Sequence, residues 1–174
     1  TIFQIPILLP SLEVQKAIGN LLSNIDRKIE LNRQINDNLE KMAKQLYDYW
    51  FVQFDFPNEN GRPYKSSGGA MVWNEKLKRE IPKEWDNCTL EYYLIIKNGR
   101  DHKHLGNGIY PVYGSGGEIR KVDSFIYSGE SILMPRKGSL NNIMYVNDAF
   151  WSVDTMFYSE MKQPHCVKYV FYSI

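Results

Sequence analysis

The stretch from Pro10 to Trp50 constrains this chain more than any other, because it reads as one uninterrupted helix. Pro10 precedes Ser11, which takes the N-cap position, Glu13 falls in the first turn, and the next proline is Pro57. Spacings of four and three alternate through Ile18, Leu22, Ile25, Ile29, Asn32, Asn36, Leu39, Ala43, Leu46 and Trp50. That is the seam of a coiled coil. At ~1.5 Å per residue the rod is roughly 60 Å long, too long for the interior of a small domain. It must lie against a partner, either an antiparallel helix or another subunit.

Asn32 and Asn36 interrupt the apolar seam, where a polar residue fixes register and partner number at some cost in stability. Leu31 and Ile35 lie beside them, so the stripe shifts face at mid-length and the two ends meet different neighbours. Opposite charges at i,i+4 (Arg33–Asp37, Asp37–Lys41, Glu40–Lys44, Lys44–Asp48) support the helix by a few tenths of a kcal/mol each. An aromatic knot follows, with Tyr47, Tyr49, Trp50, Phe51, Phe54 and Phe56. It reads either as a core where the helix meets the next domain or as a subunit interface carried by Asn32, Asn36, Trp50, Phe51 and Phe54.

Composition excludes several classes. A net charge of +1 singles out no class of partner, and beyond Ile81 ten Lys/Arg balance ten Asp/Glu, so no broad basic field marks nucleic acid. Two cysteines, Cys88 and Cys166, lie far apart without motif spacing and point to a reducing cytoplasm. No signal peptide and no apolar run near eighteen residues is present, so neither secretion nor membrane insertion is indicated. The chain opens on Thr1-Ile2-Phe3-Gln4-Ile5 without an initiating Met and ends apolar at Ile174. The expectation is a piece of a longer polypeptide, with 1–10 the terminal strand of a preceding domain.

Residues 57–81 read as a polar connector, punctuated by Pro57, Gly61, Pro63, Gly68 and Gly69. Lys65-Ser66 is no phosphate loop, since its glycines follow the lysine rather than precede it. From Ile81-Pro82 the texture changes to short strands: Ile109–Tyr113, Glu118–Val122, Phe125–Tyr127, Ser131–Met134, Ile143–Val146 and Val153–Tyr158, with Thr89–Ile96 a helix turn or a strand. Gly-bearing loops separate them, Ser128-Gly129 among them, and Pro164 begins a helix. The fold class is therefore α+β: one long helix, then a strand-rich globular domain.

No catalytic set emerges. Asp154 with Glu160 and Lys162 imitates a metal-dependent nuclease, but an E-x-K triplet is common by chance and the segment reads as a strand running into a turn. His102, His104 and His165 with the scattered cysteines make no zinc spacing, and Gly114-Ser115-Gly116-Gly117 lacks the dinucleotide fingerprint. Binding is better supported. Lys97, Arg100, His102, Lys103 and His104 crowd one Gly-rich loop, and Arg136-Lys137-Gly138-Ser139 forms a second. Tyr110 to Gly117 lies between them, bringing Tyr113 and Ser115. Small residues let backbone approach phosphate, lysines provide charge, and arginine can address base edges.

The order of motifs resembles a known family. Ile5-Pro6 through Leu12-Glu13-Val14-Gln15-Lys16-Ala17-Ile18, then Asp26 to Asn32, Leu39 to Ala43 and Trp50-Phe51-Val52-Gln53-Phe54-Asp55-Phe56 look like the spacer segment of Type I restriction–modification specificity subunits. Ile81-Pro82-Lys83-Glu84-Trp85 looks like the start of that family's target recognition domain, and Tyr110–Gly117, Arg136–Leu140 and Phe150–Thr155 continue the likeness. The resemblance implies a terminal strand at 1–10, a spacer helix and aromatic segment at 11–56, a connector at 57–81 and a truncated DNA recognition domain at 82–174. It implies a non-catalytic, cytoplasmic subunit that reads one half of a bipartite site in double-stranded DNA. Lys97, Arg100, His102, Lys103, Tyr113, Ser115, Arg136, Lys137 and Ser139 are the candidate DNA-facing residues. Methyltransferase subunits, and through them restriction subunits, assemble on such a protein; S-adenosylmethionine, ATP and Mg²⁺ belong to those partners. The spacer's usual mate, a second long helix, lies outside this sequence, so a missing segment or a second copy would cover the seam. A coiled-coil adaptor without DNA affinity and the Asp154/Glu160/Lys162 nuclease are the alternatives.

Overall fold

The computed structural model describes Gln4, residues 6–163 and 165–174. Thr1, Ile2, Phe3, Ile5 and Pro164 are outside it, so the expected strand at 1–10 and the helix start at Pro164 fall wholly or partly outside the described residues. The chain divides into two units, one ending at Gln53 and one running from Phe54 to Ile174.

The first unit is the long helix α1 (Leu12–Tyr47). Its 36 residues give about 54 Å of rod at 1.5 Å per residue. Ser11 occupies the N-cap position in extended backbone (ψ 155°), but its hydroxyl makes no cap bond. The Gln15 side-chain amide instead donates to the Pro10 carbonyl at 2.7 Å. The last expected turn is not α-helical: Asp48–Val52 widens into a π-helical turn, closed by Gln53 N–H donating to Asp48 O at 2.8 Å. The rings of Tyr47 and Phe51 meet there at 5.2 Å, and Trp50 meets Phe51 edge-on at 6.4 Å. No residue of α1 is buried: Leu22 is 55% and Leu39 58% exposed. Among the described residues the four i,i+4 charge pairs do not close into ion pairs, and a Gln34–Glu30 side-chain bond is present instead.

The second unit is the strand-rich part, so the chain is α+β with one long helix followed by a sheet domain. Its hairpin β1 (Met71–Asn74) and β2 (Arg79–Pro82) falls in the stretch expected to be a connector. The Asn74 side-chain oxygen accepts from Lys76 and Leu77 N–H, an Asx turn that closes the hairpin. One helical turn, α2 (Leu90–Tyr93), runs straight into β3 (Leu94–Asn98), so Thr89–Ile96 holds both of its expected conformations. There follow β4 (Asn107–Gly114), β5 (Gly117–Val122), β6 (Tyr127–Pro135), β7 (Met144–Ser152), β8 (Met156–Met161) and α3 (Val167–Ser173). Six strands form one sheet in the order β3-β8-β6-β7-β4-β5, antiparallel except for the β4–β7 pair.

Three expected boundaries change. Phe125–Tyr127 and Ser131–Met134 are not separate strands, because β6 runs unbroken through Ser128 and Gly129, paired with Ala149 and Asp148. Gly129 has φ 129°, which a side chain would disfavour but a glycine carries inside a strand. Ile143–Val146 lengthens to Ser152. Val153–Tyr158 starts late, since Val153 to Thr155 form the turn before β8.

Strand β6 is buried on both faces, as its Ser131-Ile132-Leu133 run suggests. Alternation sends Leu133 into a cluster with Val112, Val146, Phe150, Met156 and Tyr158. It sends Ile132 to the opposite face, against Leu94 and, on α3, Val167 and Val170. Each such buried side chain contributes about 1.5–3 kcal/mol. Ser131 and Ser159, fully buried between β6 and β8, are both satisfied by the neighbouring strand: Ser131 Oγ donates to Ser159 O at 2.7 Å, and Ser159 Oγ accepts Ile132 N–H at 2.8 Å.

Candidate nucleic-acid interface

The β3–β4, β4–β5 and β6–β7 loops, read separately in the sequence as basic or Gly-rich, are joined in the folded unit. The joint is the end of β7 and the turn after it, Trp151 to Thr155. Arg100 N–H donates to Ser152 O at 2.8 Å, and its carbonyl accepts the buried Trp151 indole N–H at 2.9 Å. Gly99 is buried under the same turn; a Cβ there would stand 2.0 Å from Val153 O, so the close approach needs glycine. Val153 N–H donates to Tyr113 O at 3.1 Å, and Arg136 N–H to Thr155 O at 2.9 Å. Asn142 Nδ2 donates to Ser115 O at 2.8 Å, and Gly138 lies against the Ser115 side chain.

Within this frame the candidate residues separate. Arg100, Lys103, Lys137 and Ser139 are exposed, and among the described residues the first three form no ion pair. Lys97 lies on β3 and pairs with Glu160 of β8 at 3.6 Å, which shares its charge. Arg136 is exposed but engaged: its Nη1 donates to Asn98 Oδ1 at 3.2 Å and to Asp154 O at 3.4 Å, and its guanidinium sits 4.9 Å over the Phe157 ring. His102 is half-buried, its Nδ1 accepting from Arg120 Nε at 3.2 Å. Tyr113 is half-buried with its ring edge-on to Phe150. Burial first, then the Glu118 and Asp148 carboxylates, raise its hydroxyl above the ordinary 10.0, so it is a neutral donor at physiological pH. Ser115, also half-buried, presents its hydroxyl beside Gly138.

Sequence reasoning passed over two residues here. Trp151 and Arg120 hold loop carbonyls fifteen to fifty-one positions away in the chain, which no local pattern reveals. The nuclease alternative does not assemble. Glu160 faces Lys97, Lys162 Nζ donates to Glu91 O at 2.6 Å, and the Asp154 carbonyl receives Arg136. Among the described residues no three His, Cys, Asp or Glu side chains cluster as a metal set would. Of the expected interface residues, Asn32 and Asn36 are exposed on α1 and Trp50 and Phe51 half-exposed. Phe54 is only 4% exposed and packs in the second unit, edge-on to Trp85 at 5.5 Å with the Arg79 guanidinium 4.6 Å over its ring. It is core, not a free interface side chain. Among the described residues no helix is long and apolar enough to cross a membrane.

Comparison with known proteins gives a consistent picture. Residues 1–41 match the family described as "Type I restriction modification DNA specificity domain". The chain is 34% identical over 99 residues to the specificity subunit of the Type I restriction enzyme MjaIX of Methanocaldococcus jannaschii, a match covering 57% of this chain and 21% of that protein. It is 47% identical over 47 residues to the HindI specificity subunit of Haemophilus influenzae, covering 27% of this chain and 10% of that one. The matched stretches thus span about a fifth and a tenth of those two relatives. A crystal structure of a Type I restriction–modification S subunit from M. genitalium shares the fold, with a TM-score of 0.54 at 20% identity over 93% of this chain and 41% of that one.

Proposed function

We propose, on the premise that this chain is a relative of the Type I restriction specificity subunits, that it reads one half of a split site in duplex DNA and catalyses nothing itself. The observation that carries this reading is the convergence of three small-residue loops on the Trp151–Thr155 turn, with Arg100, Lys103 and Lys137 exposed on them and in no ion pair among the described residues. Lys103 and Lys137 take phosphates, with Lys97 a weaker contributor because Glu160 shares its charge. Arg100, Tyr113 and Ser115 reach base edges or sugar, and Ser139 and His102 line the same loops. Arg136 supports the turn through its bonds to Asp154 O and Asn98. Leu12–Tyr47 then serves as the spacer helix, and the unit from Phe54 to Ile174 holds the reading domain. Methyltransferase subunits dock along the spacer and its aromatic end at Trp50 and Phe51, and restriction subunits join through them. S-adenosylmethionine, ATP and Mg²⁺ are held by those partners in the cytoplasm.

A selection from a randomised duplex pool tests the reading. The chain should enrich a short defined half-site, and binding should weaken steeply with salt. It should cleave nothing with Mg²⁺, and it should co-purify with a methyltransferase subunit in a complex weakened by Trp50→Ala. Failure to retain any duplex at low salt would leave a coiled-coil adaptor as the better account, and cleavage abolished by Asp154→Ala would leave a nuclease.

A further inference from the structure

Arg120 belongs to none of the basic loops. It sits half-buried on β5, yet three of its N–H donors converge on one loop. Nη2 bridges two carbonyls of the β3–β4 loop, His102 O at 2.6 Å and Leu105 O at 3.0 Å, and Nε donates to His102 Nδ1 at 3.2 Å. A guanidinium is planar and keeps its donors in a fixed fork, so this geometry sets both where the loop lies and how it is turned. The loop has a second anchor at its start, where Arg100 is held through its N–H and carbonyl by Ser152 and Trp151. Gly106 closes the far end, its carbonyl accepting Asp123 N–H at 3.2 Å. Between these fixed points Lys103 stands exposed, its N–H reaching Asp101 Oδ1 at 3.4 Å.

We infer that Arg120 is a positioning residue for DNA reading: it touches no nucleic acid and sets the loop from Arg100 to Leu105 in the conformation that discriminates sequence. This rests on the reading of the chain as a DNA-recognition unit. A cation that only adds positive field would be replaceable by lysine. A fork that spans two carbonyls and an imidazole is not, because an ammonium is a point charge on a flexible stem. Loss of the fork leaves the Leu105 carbonyl without its guanidinium and His102 O with the Leu105 N–H alone, so the loop samples other conformations. Discrimination is lost while every lysine charge is kept and Lys97 and Lys137, outside the loop, stay in place.

The test compares the wild-type chain with Arg120→Lys, Arg120→Ala and His102→Ala, using a duplex selected by the wild type and a scrambled duplex of equal length. Both Arg120 variants should lose roughly tenfold or more in affinity for the selected duplex, with affinity for the scrambled one and the salt slope nearly unchanged. His102→Ala, which keeps both carbonyl bonds, should lose less. Hydrogen exchange of the 102–106 amides should accelerate in Arg120→Lys without DNA present, while the core amides of β6 stay protected. Full discrimination and unchanged exchange in Arg120→Lys would overturn the inference, as would a salt slope lowered by about one in Arg120→Ala, which marks a direct phosphate contact. A wild type that binds no duplex would sink the DNA reading instead, and the exchange arm would still decide whether Arg120 orders the loop.

Discussion

Asn142 Nδ2 donates to the carbonyl of Ser115 at 2.8 Å, across twenty-seven positions of chain, and this one amide ties the β6–β7 loop to the β4–β5 turn. The bond sets which loops stand side by side, so its removal should be read in binding more than in stability. Asn142→Ala should cost about 1 kcal/mol in unfolding free energy and weaken binding to a selected duplex. Asn142→Asp should be worse on both counts, because a carboxylate accepts only and would face the Ser115 carbonyl oxygen. Denaturant titration with a binding isotherm for each variant checks the order.

Lys137 and Arg136 are neighbours in sequence with different work. Lys137 is exposed and holds nothing in place, so Lys137→Ala should leave the melting temperature unchanged, weaken binding to all duplexes alike and lower the salt slope by about one. Arg136 links Asn98, Asp154 and the Phe157 ring, so Arg136→Ala should lower the melting temperature as well as affinity. Arg136→Lys should rescue neither, since the planar guanidinium over the Phe157 ring is lost and a flexible ammonium does not fix Asn98 and Asp154 O in the same geometry. Equal melting temperatures for the two alanine variants would contradict this division.

How far these features were legible in the sequence depends on the distance over which each is determined. The period of Ile18, Leu22, Ile25 and Ile29 is local, so α1 could be placed almost to its ends; the π-helical turn at Asp48–Val52 lies where aromatic side chains crowd, which periodicity does not register. Ser128-Gly129 looked like a turn because glycine usually punctuates, whereas here its positive φ is absorbed inside a paired strand. The hairpin of Met71–Asn74 and Arg79–Pro82 hid in a polar stretch because its turn is made by the Asn74 side chain rather than by Gly or Pro. The basic loops were visible from composition. Trp151, Arg120 and Asn142 were not visible as the parts that join them, because each acts on a backbone carbonyl far away in the chain.

Gly99 offers a sharp test of that joint. A methyl group there would meet Val153 and Ser152 carbonyl oxygens at 2.0 and 2.6 Å, both main-chain atoms that cannot swing aside. Gly99→Ala should therefore destabilise the second unit by about 2–3 kcal/mol, or roughly 5–10 °C in melting temperature. Gly116, which has open space around its Cβ position, should accept alanine at little cost in a parallel melt. A Gly99→Ala variant as stable as the Gly116→Ala control would mean that the turn moves freely.

On α1, Leu22, Ile25, Ile29 and Leu39 are exposed, an apolar stripe broken only at Asn32 and Asn36 and of the kind that soluble proteins cover. The chain alone should self-associate at micromolar concentration in sedimentation experiments, with Asn32 and Asn36 opposing polar positions across the seam. Ile25→Glu should return it to monomer while leaving the melting of the sheet unit unaffected. A wild-type monomer at high concentration would require a different covering segment.

Asp55 gives the pH dependence a definite sign. Its carboxylate accepts the Ser66 hydroxyl at 2.6 Å and the Ser66 N–H at 2.7 Å, and these bonds, the hydroxyl first, hold its pKa below the ordinary 3.8. In the unfolded chain the same group takes a proton more readily. The unfolded state therefore binds more protons as pH falls through 3.8, and the stabilisation from Asp55 is present above that value and lost below it. Asp55→Asn should lower stability at neutral pH and flatten the acid limb of the stability curve. Ser66→Ala, which removes the larger cause but keeps the N–H bond, should flatten it in part. Unfolding free energies measured from pH 6 down to pH 2 check the order, and an acid limb identical in wild type and Asp55→Asn would assign the acid sensitivity to other carboxylates.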